Sequence, residues 1–146
     1  MSWMYRLLQR DNAETYVKSS IPIIPANTAS GNTIMGQDGI IIKDIADGST
    51  ANVDLVMPFK VRIVDAWFVC SGATAPSSGD TVALLNGTNA ITGAVAMDTT
   101  ARATKRFPTM DETYTTIAAG GTLRITPAAG GNNNACSVYV KVLPVA

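Results

Sequence analysis

The side chains that most often carry chemistry are scarce in this chain and poorly spaced for it. Histidine is absent, which removes the usual general base, the commonest metal ligand and the one side chain that titrates unperturbed near neutral pH. Ser71, Ser77 and Ser78 fall in one loop, but a hydroxyl needs an adjacent base to act as a nucleophile. The acids from residue 38 onward are spread singly: Asp38, Asp44, Asp47, Asp54, Asp65, Asp80, Asp98, Asp111 and Glu112. Two carboxylates held together would serve a glycosidase, and a dense run of them a calcium loop. Asp44-x-x-Asp47-Gly48 is the nearest approach to such a loop, and it lacks the later ligands. Most of these acids stand beside Gly, Ser or Thr, where an Asp side chain caps the turn of its own backbone. Turn chemistry is therefore expected of them, and a hydrolase working on carboxylates alone is disfavoured.

Cys70 and Cys136 are the only cysteines. They admit two readings: a disulfide tying a central strand to the last one, or two buried free thiols behaving as small hydrophobes. With no export signal, free thiols are expected, and without histidine the pair makes no zinc site. Gly120-Gly121 and Gly130-Gly131 lack the Gly-Lys-Thr/Ser and the following helix of a phosphate loop, so they read as hairpin loops. Lys105-Arg106 beside Phe107 is a basic pair with an aromatic neighbour, but Asp111-Glu112 follows closely. A solvated hairpin tip is the better reading. No cofactor and no metal is expected.

Charge narrows the partners. Eleven basic residues balance eleven acidic ones. Phosphate neutralisation needs a clustered surplus of Lys and Arg, so a nucleic-acid clamp is excluded, as is a polybasic membrane anchor. The 146 residues suit one domain. Charged residues make up only 15%, where soluble domains carry about 25%. A compact monomer of this mass exposes roughly 7,000 Å². Thr, Ser, Asn and Gly must cover that surface, or other proteins must. A net charge of zero does little to oppose self-association, and an oligomer is expected. Arg6 interrupts the only apolar stretch at the start, which leaves no secretory core. The uncharged run from Ser19 to Gln37 contains Pro22 and Pro25 and cannot span a bilayer as a helix. Synthesis in the cytoplasm, with retention or assembly there, follows as the expectation.

Two regions must position whatever the chain does. Residues 1–32 read as an amino-terminal arm: Trp3/Leu7 and Met4/Leu8 stand at i,i+4 in a helical stretch too short to be stable alone, and Pro22 and Pro25 favour extended chain after it. Residues 33–146 read as short strands and turns. Gly39–Ile45 is β-branched and ends at Asp47-Gly48. Ala51–Met57 alternates and stops at Pro58. Phe59–Cys70 is the strongest strand, with Phe59, Val61 and Ile63 on one face; its alternation blurs after Ile63, which predicts a bulge near Asp65 or burial on both faces. Thr81–Leu85 runs into the turn Asn86-Gly87, with Ala90–Met97 as partner. Thr113–Ile117, Thr122–Thr126 and Ala135–Leu143 complete about eight strands. With no helical period in the body, the fold class is all-β, a β-sandwich of jelly-roll type ahead of an immunoglobulin-like one.

The arm holds the candidate site. Trp3, Met4, Tyr5, Arg6, Leu7, Leu8 and Arg10 are large apolar and arginine side chains of the kind enriched at protein interfaces. A sandwich closed on itself gains little from them. The alternative is that the arm folds back as an edge strand or covers one end of the sandwich.

A neutral, histidine-free, Thr/Ala/Gly-rich sandwich with such an arm resembles, in the layout of the whole chain, the small head decoration (cement) proteins of tailed bacteriophages. The resemblance implies a jelly-roll fold, homotrimers on threefold axes of the capsid, the major capsid protein as partner, a place on the virion surface and no catalysis. It transfers no individual residue. A tail-fibre or adhesin-like module that binds a surface carbohydrate is the other class to weigh, with Trp67, Phe68, Tyr114 and Tyr139 as its aromatic candidates. Far-ultraviolet circular dichroism should give a β-dominated spectrum; a helix content above about a quarter would contradict the pattern of the domain body.

Overall fold

The computed structural model describes residues 33–35, 39–71, 76–130 and 134–145; the expected arm and its helical stretch lie outside these described residues. Among the described residues there is no helix. Eleven strands form two antiparallel sheets. The first sheet contains β1 (Thr33–Met35), β2 (Ile40–Ile45), β4 (Val61–Cys70), β8 (Thr104–Arg106), β9 (Thr116–Ile117) and β11 (Cys136–Pro144). Its order is β1-β2-β11-β4-β8, with β9 beside β8 on the same edge of β4. The second sheet contains β3 (Val53–Val56), β5 (Thr81–Asn86), β6 (Asn89–Ala90), β7 (Val95–Ala96) and β10 (Thr122–Ala128), in the order β3-β10-β5-β6 with β7 also on β5. The chain therefore crosses between sheets at most of its connections.

Period-two alternation builds the core. In β11, Cys136, Val138, Val140 and Val142 point inward while Ser137, Tyr139 and Lys141 point out. In β4, Val61 and Ile63 are buried, and so are Ala66, Phe68 and Cys70. Two residues separate Ile63 from Ala66 where strict alternation allows one, and the β4–β11 register shifts there, between Lys141 and Val142. Of the two readings of the blurred alternation, a bulge near Asp65 or burial on both faces, the structure shows the bulge. The Asp65 carboxylate accepts a hydrogen bond from the Ala66 backbone N–H at 2.9 Å, which satisfies an amide at the irregularity. Facing these side chains are Leu55 of β3, Val82 and Leu84 of β5, and Leu123 and Ile125 of β10, all in one apolar cluster with Phe107 and Ile117. Phe68 and Phe107 meet edge to face, with ring centroids 5.5 Å apart. Full burial of each such side chain contributes about 1.5–3 kcal/mol.

The strand alternation also carries a charge inward. Lys43 lies between Ile41 and Ile45 on the core side of β2, 1% exposed. Desolvation lowers its pKa, and the neighbouring Asp44 carboxylate works in the opposite direction.

Several short strands differ from the sequence reading. The expected partner of β5 over Ala90–Met97 is split into β6 and β7. Between them the Thr92 hydroxyl accepts from the Leu84 N–H at 2.9 Å, standing in for a ladder carbonyl. Gly87 takes a left-handed φ of 61° in the turn, as an Asn-Gly hairpin requires. Only Thr116–Ile117 of the expected strand from Thr113 is extended, because Asp111 and Glu112 organise a turn before it: Asp111 accepts from the Thr113 N–H and the Glu112 carbonyl from the Thr115 hydroxyl. Lys105 and Arg106 are not a hairpin tip. They lie in β8, paired with β4. β10 contains Pro127, whose ring nitrogen cannot donate; β3 pairs only with Thr122–Ile125, so the missing donor falls beyond the end of that ladder.

Two interior loops are clasped by Asp80, which is fully buried. Its carboxylate accepts from the Ser77 N–H at 2.7 Å and from the Gly130 N–H at 2.9 Å. Gly130 belongs to the connection from β10 to β11, between sheets, and so is not in a hairpin loop. A Cβ there would stand 2.6 Å from the Gly79 carbonyl carbon. Asp80→Ala leaves two backbone donors unmatched and should lower stability by about 2–4 kcal/mol. Gly130→Ala should lower it by about 1–3 kcal/mol. Urea unfolding checks both, and a loss under about 0.5 kcal/mol would show the loops to be independent of the clasp.

Candidate interaction surface

The residues that alternate with the core of the six-stranded sheet make its outer face, and the strand register sets them in rows. One row runs Ile42, Tyr139, Trp67, Arg106 across β2, β11, β4 and β8. A second runs Asp44, Ser137, Val69, Thr104, and a third Ile40, Lys141, Asp65. The middle row is aromatic at its centre. Trp67 and Tyr139 stack with centroids 5.3 Å apart and planes within 4° of parallel. Both rings are half-buried, flanked by half-buried Ile42 and Val69. Beyond the bulge, Val64 is 37% and Leu143 49% exposed. Val56 on β3, 57% exposed, is the only large apolar side chain in the second sheet's described residues with comparable exposure.

Charges frame this face and are tied to each other. Arg106 pairs with Asp65 at 2.9 Å, and Arg62 with Glu112 at 2.6 Å. The Ser137 hydroxyl donates to Asp44 at 2.6 Å. On the second sheet, Arg124 and Asp54 stand opposite each other and form a two-pronged pair at 2.7 and 2.8 Å. The Arg124 hydrogen bond holds the Asp54 carboxyl below the usual carboxylate range. Asp98 is lowered likewise by its hydrogen bonds from Thr100. Among the described acids, Asp98 and Asp111 therefore cap turns, and Asp54, Asp65 and Glu112 stand in ion pairs. Among the described residues no group of three or more His, Cys, Asp or Glu could hold a metal ion.

At one end of the sheet a cleft of about 390 Å³ opens among Asp44, Ser71, Arg102, Ser137 and Tyr139, with both cysteines also among its lining residues. Cys70 and Cys136 are buried and free, directly opposite each other on β4 and β11. Burial pushes both thiols up, Cys136 to about 12. Arg102 holds a left-handed φ of 62°, alone in this among the described non-glycine residues. Its backbone N–H donates to the Ser71 carbonyl at 3.2 Å, which folds the loop before β8 over the cleft's edge.

The candidate residues Trp3, Met4, Tyr5, Arg6, Leu7, Leu8 and Arg10 lie outside the described residues. The aromatic candidates for a sugar platform separate. Phe68 is wholly in the core, and Tyr114 is half-buried at the turn before β9. Trp67 and Tyr139 do reach the outer face, but each spends one ring face on the other. Sequence reasoning placed both in strands without seeing them as partners; the signal was their outward parity in two strands, which becomes a contact only once the register is known. No family model, curated protein or solved structure matches the chain. A Trp67→Ala, Tyr139→Ala double-mutant cycle should return a coupling of about 0.5–1.5 kcal/mol in thermal or urea unfolding. Additive losses would mean that the rings act separately.

Proposed function

We propose that this chain is a non-catalytic structural protein of the phage head decoration type. It binds the outside of an assembled capsid and stabilises joints between major capsid subunits, as a homotrimer on the virion surface. The observation that carries the reading is the outer face of the six-stranded sheet. Its paired aromatics and exposed Val64 and Leu143 are framed by arginines, the composition of an interface. The strand orders β2-β11-β4-β8 and β3-β10-β5-β6, with successive strands crossing between sheets, support a jelly-roll arrangement in particular. The low charge share favours assembly in the same direction.

In this reading the arm makes the principal contact with a neighbouring protomer or capsid subunit. Trp3, Met4, Tyr5, Leu7 and Leu8 supply apolar area, Arg6 and Arg10 pair with acids at the rim, and Pro22 and Pro25 lower the entropy lost when the arm is ordered. Many copies on one shell multiply a modest affinity per site. A carbohydrate-binding module is the second reading, and the outward Trp67–Tyr139 pair is its one support. Mutual stacking withdraws one face of each ring from a pyranose.

Deleting residues 1–20 should leave a folded β-protein that binds particles at least tenfold more weakly, about 1.4 kcal/mol per site. The described core lies wholly within residues 41–142, which is why folding should survive. Trp3→Ala with Leu7→Ala should shift binding less and in the same direction. Equal decoration by the truncated chain would move the contact onto the sandwich, and unfolding would make the arm core. Binding to a glycan array with none to particles would favour the second reading.

A further inference from the structure

Cys70 and Cys136 occupy a special kind of cross-strand position. The next pair along the ladder, Ser71 and Ala135, is hydrogen-bonded, with the Ser71 N–H donating to the Ala135 carbonyl at 2.9 Å. Pairs alternate in an antiparallel ladder, so the cysteines form a non-hydrogen-bonded pair. The Cys70 N–H agrees, since it turns away from β11 to the Ala103 carbonyl, 2.9 Å away. Such pairs hold their Cα atoms about 4.5 Å apart with side chains drawn together. A disulfide spans Cα separations of about 4.4–6.8 Å. Both side chains are on the core face, 2% and 4% exposed, and both residues are among those that line the cleft at the sheet end.

We propose that this pair is a modification site: a cross-strand dithiol that closes to a disulfide when hydrogen peroxide enters the cleft, stapling β4 to β11. In the first step a Cys70 thiolate attacks the peroxide. An S–O bond forms, the O–O bond breaks, and the departing hydroxide takes a proton to leave as water. In the second step the Cys136 thiolate attacks the Cys70 sulfur. The S–S bond forms, the S–O bond breaks, and the second hydroxide leaves as water. Two thiols lose two protons and two electrons, and one hydrogen peroxide becomes two waters. Burial holds both thiols protonated at neutral pH, so closure is slow and quickens as pH rises. The staple constrains the unfolded chain between residues 70 and 136, a long loop, without moving strands already in register. None of this depends on what the protein binds.

The test uses the full reduced chain and hydrogen peroxide at pH 7 and pH 9. Intact mass should fall by two hydrogens, and a non-reducing peptide map should join the two cysteine peptides. Closure should run at least tenfold faster at pH 9. The melting temperature should rise by about 5–10 °C and return to its starting value on reduction with dithiothreitol. Cys70→Ser and Cys136→Ser should each abolish the bridged species; if either fails to fold, the map and pH dependence of the unaltered chain decide the matter. Oxygen added to single cysteines, disulfide-linked dimers, or thiols that stay reduced until the chain is denatured would each overturn the proposal.

Discussion

The pairing of β11 with β4 is the constraint on which the rest of the first sheet depends. It runs through nine residue pairs and joins the last strand of the chain to one that begins some seventy residues earlier. β11 simultaneously pairs with β2 on its other side, so the C-terminal strand lies at the centre of the sheet and not at an edge. A chain that closes its central ladder last must bring together distant segments before the ladder repays the loop entropy, which makes folding non-local. What keeps the register unique is parity. Slipping β11 by one residue would put Ser137, Tyr139 and Lys141 into the core and Val138, Val140 and Val142 into water.

The bulge divides that ladder into two halves with different tasks. On the side toward Pro144, Ile63 pairs with Val142 and Val61 with Pro144, and the far edge of β4 is held by β9, with the Ile63 N–H also donating to the Thr115 carbonyl. On the side toward Cys136, Ala66, Phe68 and Cys70 face inward, Trp67 faces outward, and β8 holds the edge. Without the extra residue, the outward parity of Trp67 would belong to the wrong face and the stacked pair with Tyr139 would be lost. Asp65 secures the irregularity twice, through the Ala66 amide and through Arg106. The outer aromatic row therefore exists because of a break in the alternation that the core demands.

What was legible in the sequence follows the same physics. β3, β11 and the first half of β4 announce themselves by period-two alternation, β2 by its β-branched run and β5 by the Asn86-Gly87 turn after it, while the blurred alternation after Ile63 leaves a bulge and burial on both faces as alternatives. From sequence, these two- and three-residue strands are read too long or not at all: β6 and β7 as one strand over Ala90–Met97, β9 as Thr113–Ile117, and β8 as a hairpin tip. They are strands only because β4 and β5 offer them an open edge. Lys43 escaped for a different reason: in a run of isoleucines its parity is visible, but a lysine is ordinarily assigned to solvent whatever its parity. The turn role of the acids was readable at Asp98 and Asp111, where the capped residue is two positions on, and unreadable at Asp80 and Asp54, whose partners Gly130 and Arg124 are distant in sequence. The proposed arm contact rested on residue types alone, and no strand register bears on it.

Local pairing of charge also shapes how such a surface meets another. On the outer face of the first sheet Asp65 with Arg106 and Glu112 with Arg62 present short dipoles to solvent, as Asp54 with Arg124 does on the second sheet. Exposed pairs of this kind add little to stability, about 0–1 kcal/mol each. Their larger effect is on association, where a field that cancels within a few ångströms neither steers a polyanion nor repels a second copy. Encounter through this face then depends weakly on ionic strength, and its strength comes from apolar contact. The Trp67–Tyr139 row contributes rigidity to that contact. Two rings already stacked against each other, between Ile42 and Arg106, have little rotamer freedom left to lose, so an approaching surface meets a shape that is set before it arrives.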